Sequence, residues 1–226
     1  MAKPKGKRKS KQNETWDGVE VHVPSKLSTQ HGLWPRCQVD YIVLHYAGVP
    51  GLSASKLCER FIRTTAQKST HYVVDENEIW RVCEDRFVAW HCGTHQGKYR
   101  HSCCRNGNSI GVDLCERRES ATTSSVYAPD IYFPEKTVAR AMVLCAALCR
   151  RYKLDPRRAL LRHHDVTGKV CPAPWVGADI VCTHTGRARD ADWETFVERV
   201  AGCISPRVSL EGIWQAIDEN TCKEQT

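Results

Sequence analysis

The run Asp40 to Tyr46, DYIVLHY, constrains the fold of this chain more than any other segment. It is apolar without a break between its ends, and a strand with no polar face has to be covered on both sides. A second strand pattern spans Ser109 to Cys115, where Ile110, Val112 and Leu114 alternate with Gly111 and Asp113. That alternation sets Asp113 on the face opposite the apolar set. The segments His71–Val74 and Ile79–Val82, split by Asp75-Glu76-Asn77-Glu78, read as a hairpin with a polar turn. Leu160-Leu161 reads as a further short strand.

Helical signals alternate with these strands. Ser53 is placed to cap a helix whose apolar face includes Leu57, Phe61 and Ile62. Pro134 and Glu135 open the strongest helix, to about Tyr152, with Val138, Met142, Cys145, Cys149 and Tyr152 along one face. Another follows Asp190 or Asp192 with Trp193, Phe196, Val197 and Val200, and a last one is expected from Ser209. The expected fold is therefore α/β, a central mixed β-sheet flanked by α-helices. The expected organisation is a basic disordered tail over 1–15, one domain over 16–203, and a short helical extension over 204–226. Val19 to Val23 reads as an irregular lead-in to the domain, and 93–108 and 119–132 read as loops.

Charge is unevenly placed. Residues 1 to 12, MAKPKGKRKSKQ, hold six Lys or Arg and no acid, so of the net +7 the rest of the chain keeps little. The tail reads as a solubilising arm or as a contact for nucleic acid, an anionic wall polymer or lipid; because it carries nothing that reads bases, a nucleic-acid partner is not the expectation, although the basic tail leaves it open. The most apolar helical stretch, Ala141 to Cys149, is too short to cross a bilayer. The basic N-terminus has no apolar segment behind it, so no standard secretory signal is expected. Synthesis in the cytoplasm is the corresponding expectation. Thirteen cysteines without any C-x-x-C pair argue for free thiols and metal ligands over a zinc ribbon or dithiol redox centre. No segment specifies an oligomeric state.

The chemistry concentrates in RHHDVTGKVCPAPW, residues 162–175. His163 and His164 stand eight and seven residues before Cys171, with Lys169 two residues short of it. Imidazole nitrogen and thiolate sulfur suit zinc, and a neighbouring lysine suits a developing oxyanion. A third ligand has to come from elsewhere, and His45 at the end of the buried strand is the leading donor. On spacing alone, His163 and His164 are interchangeable. The signatures H-E-x-x-H and G-x-S-x-G are absent.

Four segments in order, IVLHYAG (42–48), THYVVDENEIWRVCEDRFVAWHCG (70–93), NSIGVDLCE (108–116) and RHHDVTGKVCP (162–172), resemble the zinc-dependent type 2 N-acetylmuramoyl-L-alanine amidases. That superfamily includes phage lysins, bacterial autolysins and peptidoglycan recognition proteins. The resemblance implies zinc held by His45, His163 and Cys171, which separates His163 from His164. It implies catalytic roles for Lys169 and for Asp113, where many members carry glutamate. It also implies substrate-lining or supporting roles for His71 and His91. Thr70 stands where some relatives carry a catalytic tyrosine, which argues against that variant. The implied reaction is hydrolysis, by zinc-activated water, of the amide between N-acetylmuramic acid and L-alanine. The partner is peptidoglycan, reached after release from the cell, as for an endolysin or autolysin. Two rival readings are a non-catalytic peptidoglycan-binding module of the same fold and a cysteine-rich nucleic-acid-binding protein.

Overall fold

The computed structural model describes residues 12–36, 38–94, 97–120 and 125–204. Its strands are β1 (Gln12–Trp16), β2 (Val19–Val23), β3 (His31–Pro35), β4 (Tyr41–Tyr46), β5 (Tyr72–Val74), β6 (Ile79–Arg81), β7 (Phe87–Ala89), β8 (Ser109–Leu114), β9 (Arg117–Arg118), β10 (Ile131–Tyr132) and β11 (Leu160–Arg162). The α-helices are α1 (Ala54–Arg63), α2 (Glu135–Tyr152), α3 (Pro156–Ala159), α4 (His163–Thr167) and α5 (Arg189–Cys203). The main sheet has seven strands in the order β1-β2-β6-β5-β8-β4-β11. It is mixed: β5, β8, β4 and β11 run parallel, whereas β1–β2 and β5–β6 are antiparallel pairs.

β4 and β8 are interior strands, each with a neighbour on both edges, and neither has a face that water could wet. Ile42, Leu44, Ile110, Val112 and Leu114 point into a core shared with α2 and α5, including Leu144, Leu148, Trp193 and Phe196. Leu144 and Leu148 have no exposed surface, and truncating either to alanine costs about 2–5 kcal/mol. The opposite face packs Val73, Trp80 and Val82 against Leu57 and Phe61 of α1. Val43 joins Cys92, Cys104 and Val166 on that same side.

Local signals set the helices. Glu135 occupies the first turn of α2 and Arg150 and Arg151 its last, matching the helix dipole at both ends. Lys153 closes α2 in the left-handed region, its N–H bonding to the Cys149 and Arg150 carbonyls. The Ser53 hydroxyl accepts from Lys56 N–H at the start of α1. Buried Asp75 accepts from Ala54 N–H at 2.7 Å and, with its other oxygen, from Asn77 and Glu78 N–H. One carboxylate thus anchors both a hairpin turn and a helix start.

Two expectations need correction. Val19–Val23 is regular strand, and residues 12–15, assigned to the tail, lie in the strand that pairs with it from Gln12↔Val23 to Trp16↔Val19. The cause is a tight turn at Asp17-Gly18, both with positive φ (49° and 75°), the turn chemistry that matches the twist of a hairpin. Residues 1–11 and 205–226, including the helix expected from Ser209, lie outside the described residues.

Candidate metal centre and active site

The parallel register builds the site. β4 pairs with β8 so that His45 stands opposite Asp113. On its other edge β4 pairs with β11 as far as Arg162↔Leu44. His163, one residue on, therefore comes level with His45. Three adjacent strands deliver Asp113, His45 and His163 at their carboxyl ends, where sheets of this kind place their sites.

The chain after β11 then folds back to add a fourth group. Asp165 caps α4 by accepting from Arg162 N–H at 2.8 Å. Gly168 ends α4 in the left-handed region (φ 85°), with the Arg100 guanidinium where a Cβ would stand. His164 N–H donates to the Cys171 carbonyl at 2.8 Å, pinning Cys171 under the first turn. Cys171 Sγ then lies 3.6 Å from His45 Nδ1. The His164 ring turns away, its Nδ1 3.1 Å from the Lys169 carbonyl oxygen.

One donor atom each from His45, His163 and Cys171 fall within 4.8 Å of one another, and all three residues are buried. Among the described residues, neither ring nitrogen of His163 has a hydrogen-bond partner, although both are buried. Two orphaned nitrogens in the interior are costly unless something binds them. Burial, reinforced by Lys169, holds the His163 pKa down at about 4. Burial and the neighbouring His163 hold His45 well below the usual imidazole range. Both rings are therefore neutral near pH 7, with lone pairs to give. Burial pushes the Cys171 thiol up to about 12, so a cation entering here displaces its proton. Two neutral imidazoles and one thiol make a donor set that fits zinc.

A hydrogen-bond chain fixes how His45 presents itself. His45 Nε2 lies 3.1 Å from His91 Nδ1, and His91 Nε2 lies 3.2 Å from Ser109 Oγ. Ser109 Oγ donates to the Arg105 carbonyl at 2.6 Å. A carbonyl only accepts, so the direction propagates back: Ser109 accepts from His91 Nε2–H, and His91 Nδ1 accepts from His45 Nε2–H. The Nδ1 lone pair of His45 is left to face Cys171, whose thiol lies within hydrogen-bond distance of it. Gly111 makes room for this chain, since a Cβ there would stand 2.7 Å from His91 Cγ and 2.9 Å from Thr70 Oγ1.

His45, His91, His163 and Cys171 line a cavity of about 370 Å³, together with Tyr46, Phe61, Lys68, Trp90, Asp113 and Lys169. Asp113 is buried, and desolvation raises its carboxyl to about 6 against the opposing effects of Thr70, Lys68 and Lys169. Of the sequence candidates, the cavity thus gathers His45, His91, Asp113, His163, Lys169 and Cys171. His71 is not brought there. It is fully buried, its Nδ1 accepting from Gly111 N–H at 2.9 Å and its Nε2 lying 3.1 Å from the Phe87 carbonyl oxygen. It ties β5, β7 and β8 together. Ser109, Lys68 and Trp90 are the residues that sequence reasoning left out.

Comparison with known proteins places the chain in a family. The family profile for N-acetylmuramoyl-L-alanine amidase matches residues 35–174, which is more than half of the sequence. The chain belongs to this family. The N-acetylmuramoyl-L-alanine amidase CwlL of Bacillus licheniformis is 34% identical over 142 residues, covering 60% of this chain and 36% of that protein. BlyA, another such amidase from Bacillus subtilis (strain 168), is 31% identical over 166 residues, 69% of this chain and 42% of the other. The chain thus spans less than half the length of these relatives. The PlyG catalytic domain shares the fold, with a TM-score of 0.59 at 18% identity over 84% of this chain and 99% of that one. Among the described residues no disulfide forms, no second metal-ligating cluster is found, and no helix is long and apolar enough to cross a membrane.

Proposed function

We propose that this chain is a zinc-dependent N-acetylmuramoyl-L-alanine amidase. It hydrolyses the amide that joins the lactyl group of N-acetylmuramic acid to L-alanine in peptidoglycan. The observation that carries this reading is the convergence of His45, His163 and Cys171 with Asp113 and Lys169 in one cavity, in a member of this family. His45, His163 and Cys171 hold the metal. When bound there, zinc supplies a Lewis acid that polarises a carbonyl and makes water acidic near neutral pH.

The protein groups do the remaining work. Asp113, with a pKa of about 6, is mostly ionised near pH 7 and is a competent base for the attacking water. It then carries that proton to the alanine nitrogen as the amide breaks. Lys169 places a positive charge beside the oxygen that becomes anionic during attack. The walls formed by Phe61, Trp90 and Tyr46 limit water around the reacting amide. His91 orients His45 through the chain that ends at Arg105. Degradation of the wall in this way is the role of an endolysin or autolysin.

The test is product chemistry. Purified protein incubated with peptidoglycan releases new alanine amino termini and no new reducing sugar ends, a chelator stops the release, and added zinc restores it. Reducing ends without alanine amines, or full activity in chelator, overturns the reading.

A further inference from the structure

Two buried thiols stand outside the cavity lining and take no part in the proposed hydrolysis. Cys92 and Cys104 have no exposed surface and pack together with Val43 and Val166. Their side chains are hydrogen-bonded to each other. Cys92 Sγ also lies 3.7 Å from Ser109 Oγ, and that hydroxyl donates at 2.6 Å to the carbonyl of Arg105, the residue after Cys104.

The backbone is held on both sides of the pair. Asn106 Oδ1 accepts from His91 N–H at 3.1 Å and from Cys92 N–H at 2.8 Å. His101 Nδ1 accepts from Cys103 N–H at 3.2 Å and from Cys104 N–H at 2.9 Å. The Arg105 guanidinium lies 3.8 Å from the centre of the Tyr99 ring and donates to the His101 and Cys104 carbonyls. Two thiols at opposite ends of residues 93–103 are thus kept side by side. The bond from Cys104, helped by His91, holds the Cys92 thiol below its ordinary range despite burial, whereas the same bond raises Cys104. Cys92 is therefore the stronger nucleophile of the pair.

We propose that Cys92 and Cys104 are an oxidation site, a dithiol that closes to an intramolecular disulfide when the chain meets a peroxide. The Cys92 sulfur attacks one oxygen of hydrogen peroxide; a sulfur–oxygen bond forms, the oxygen–oxygen bond breaks, and the leaving oxygen departs as water with the Cys92 proton. The Cys104 sulfur then attacks the Cys92 sulfur. The sulfur–sulfur bond forms, the sulfur–oxygen bond breaks, and the oxygen leaves as a second water with the Cys104 proton. The two thiols lose two electrons and the peroxide gains them. Peroxide is close to water in size, so a local opening of the covering segment admits it where larger reagents are shut out. The disulfide ties together the two ends of the segment, one next to His91 and the other next to Arg105. It thereby braces the hydrogen-bond chain that orients His45 and leaves the cavity lining unaltered.

The experiment treats the full chain, loaded with zinc, with hydrogen peroxide, blocks remaining thiols with an alkylating reagent, and maps the peptides by mass spectrometry without reduction. The expected product is a peptide pair joined through Cys92 and Cys104. Tm should rise by about 5–10 °C, the scale of one disulfide closing a short loop in a chain of this size, and dithiothreitol should reverse both changes. Cys92→Ala and Cys104→Ala each lose the rise, whereas Cys103→Ala, at the exposed neighbouring thiol, keeps it. The proposal is overturned if both thiols are still alkylated after peroxide, if Cys92 is found only as sulfinic acid, if either cysteine is joined elsewhere, or if the joined protein melts no higher. Where an alanine variant does not fold, the peptide map and Tm of the unmodified chain decide the matter.

Discussion

Ser109→Ala is the most informative single substitution, because Ser109 touches none of the candidate ligands. Its hydroxyl accepts from His91 and donates to the Arg105 carbonyl, and its side chain is fully buried. Without the hydroxyl, His91 Nε2–H is left with the Ser109 carbonyl at 3.4 Å, beyond good hydrogen-bond length. Losing one partner of a buried hydrogen bond costs about 1–3 kcal/mol. Part of that appears as lower stability. The part that matters here is the freedom returned to His91 to flip or change tautomer, which lets His45 place a proton on Nδ1, the nitrogen nearest Cys171. Supporting partners of metal-binding histidines change affinity by about 10–100-fold, so about tenfold weaker zinc binding is expected. The assay is competition with a chromophoric chelator, under conditions where circular dichroism shows both proteins folded. Equal zinc affinity in a folded Ser109→Ala protein refutes the argument that the chain orients His45.

Three further outcomes follow from the geometry. Gly111→Ala drives a methyl into the His91 ring, 2.7 Å from Cγ, and should weaken zinc binding and lower Tm together. Asp113→Asn keeps the shape but removes the base; kcat is expected to fall by about 10²–10⁴-fold while zinc still binds, as measured by metal content and alanine release. Glu116, fully buried and accepting from Ala47 N–H at 3.1 Å, has its carboxyl raised by burial to about 7. A folded-state pKa above the unfolded one means that its stabilisation is complete below about pH 4.5 and is lost as pH rises through about 7. Urea unfolding of the metal-free protein should show Glu116→Gln gaining on the parent, by up to about 3 kcal/mol, between those limits.

The sequence made the site's strands legible because burial on both faces leaves an unbroken apolar run. Tyr41–Tyr46 had no alternative reading, and its last residues carry His45. α2 was equally plain, since one apolar face, an acidic start and a basic end agree. The β1–β2 hairpin was also written in the chain, as Asp17-Gly18 between two short runs. The run of charges before it drew the reading toward a tail. His71 and His91 are different. Both stand in the same motif, and nothing in their spacing tells which one faces the cavity. Pairing of β5 with β8 decides it, by setting the His71 ring against Gly111 N–H. The same holds for Ser109 and Lys68. A serine opening a strand and a lysine in a polar loop carry no mark of a neighbour that lies far away in the sequence.

The central claim is that two imidazoles and one thiolate of this chain hold zinc. X-ray absorption at the zinc edge of the reconstituted protein tests it most directly. The account predicts one zinc per chain, with a single sulfur at about 2.3 Å and two imidazole nitrogens at about 2.0–2.1 Å, and loss of the sulfur in Cys171→Ser. A shell without sulfur, or one that Cys171→Ser leaves unaltered, contradicts it.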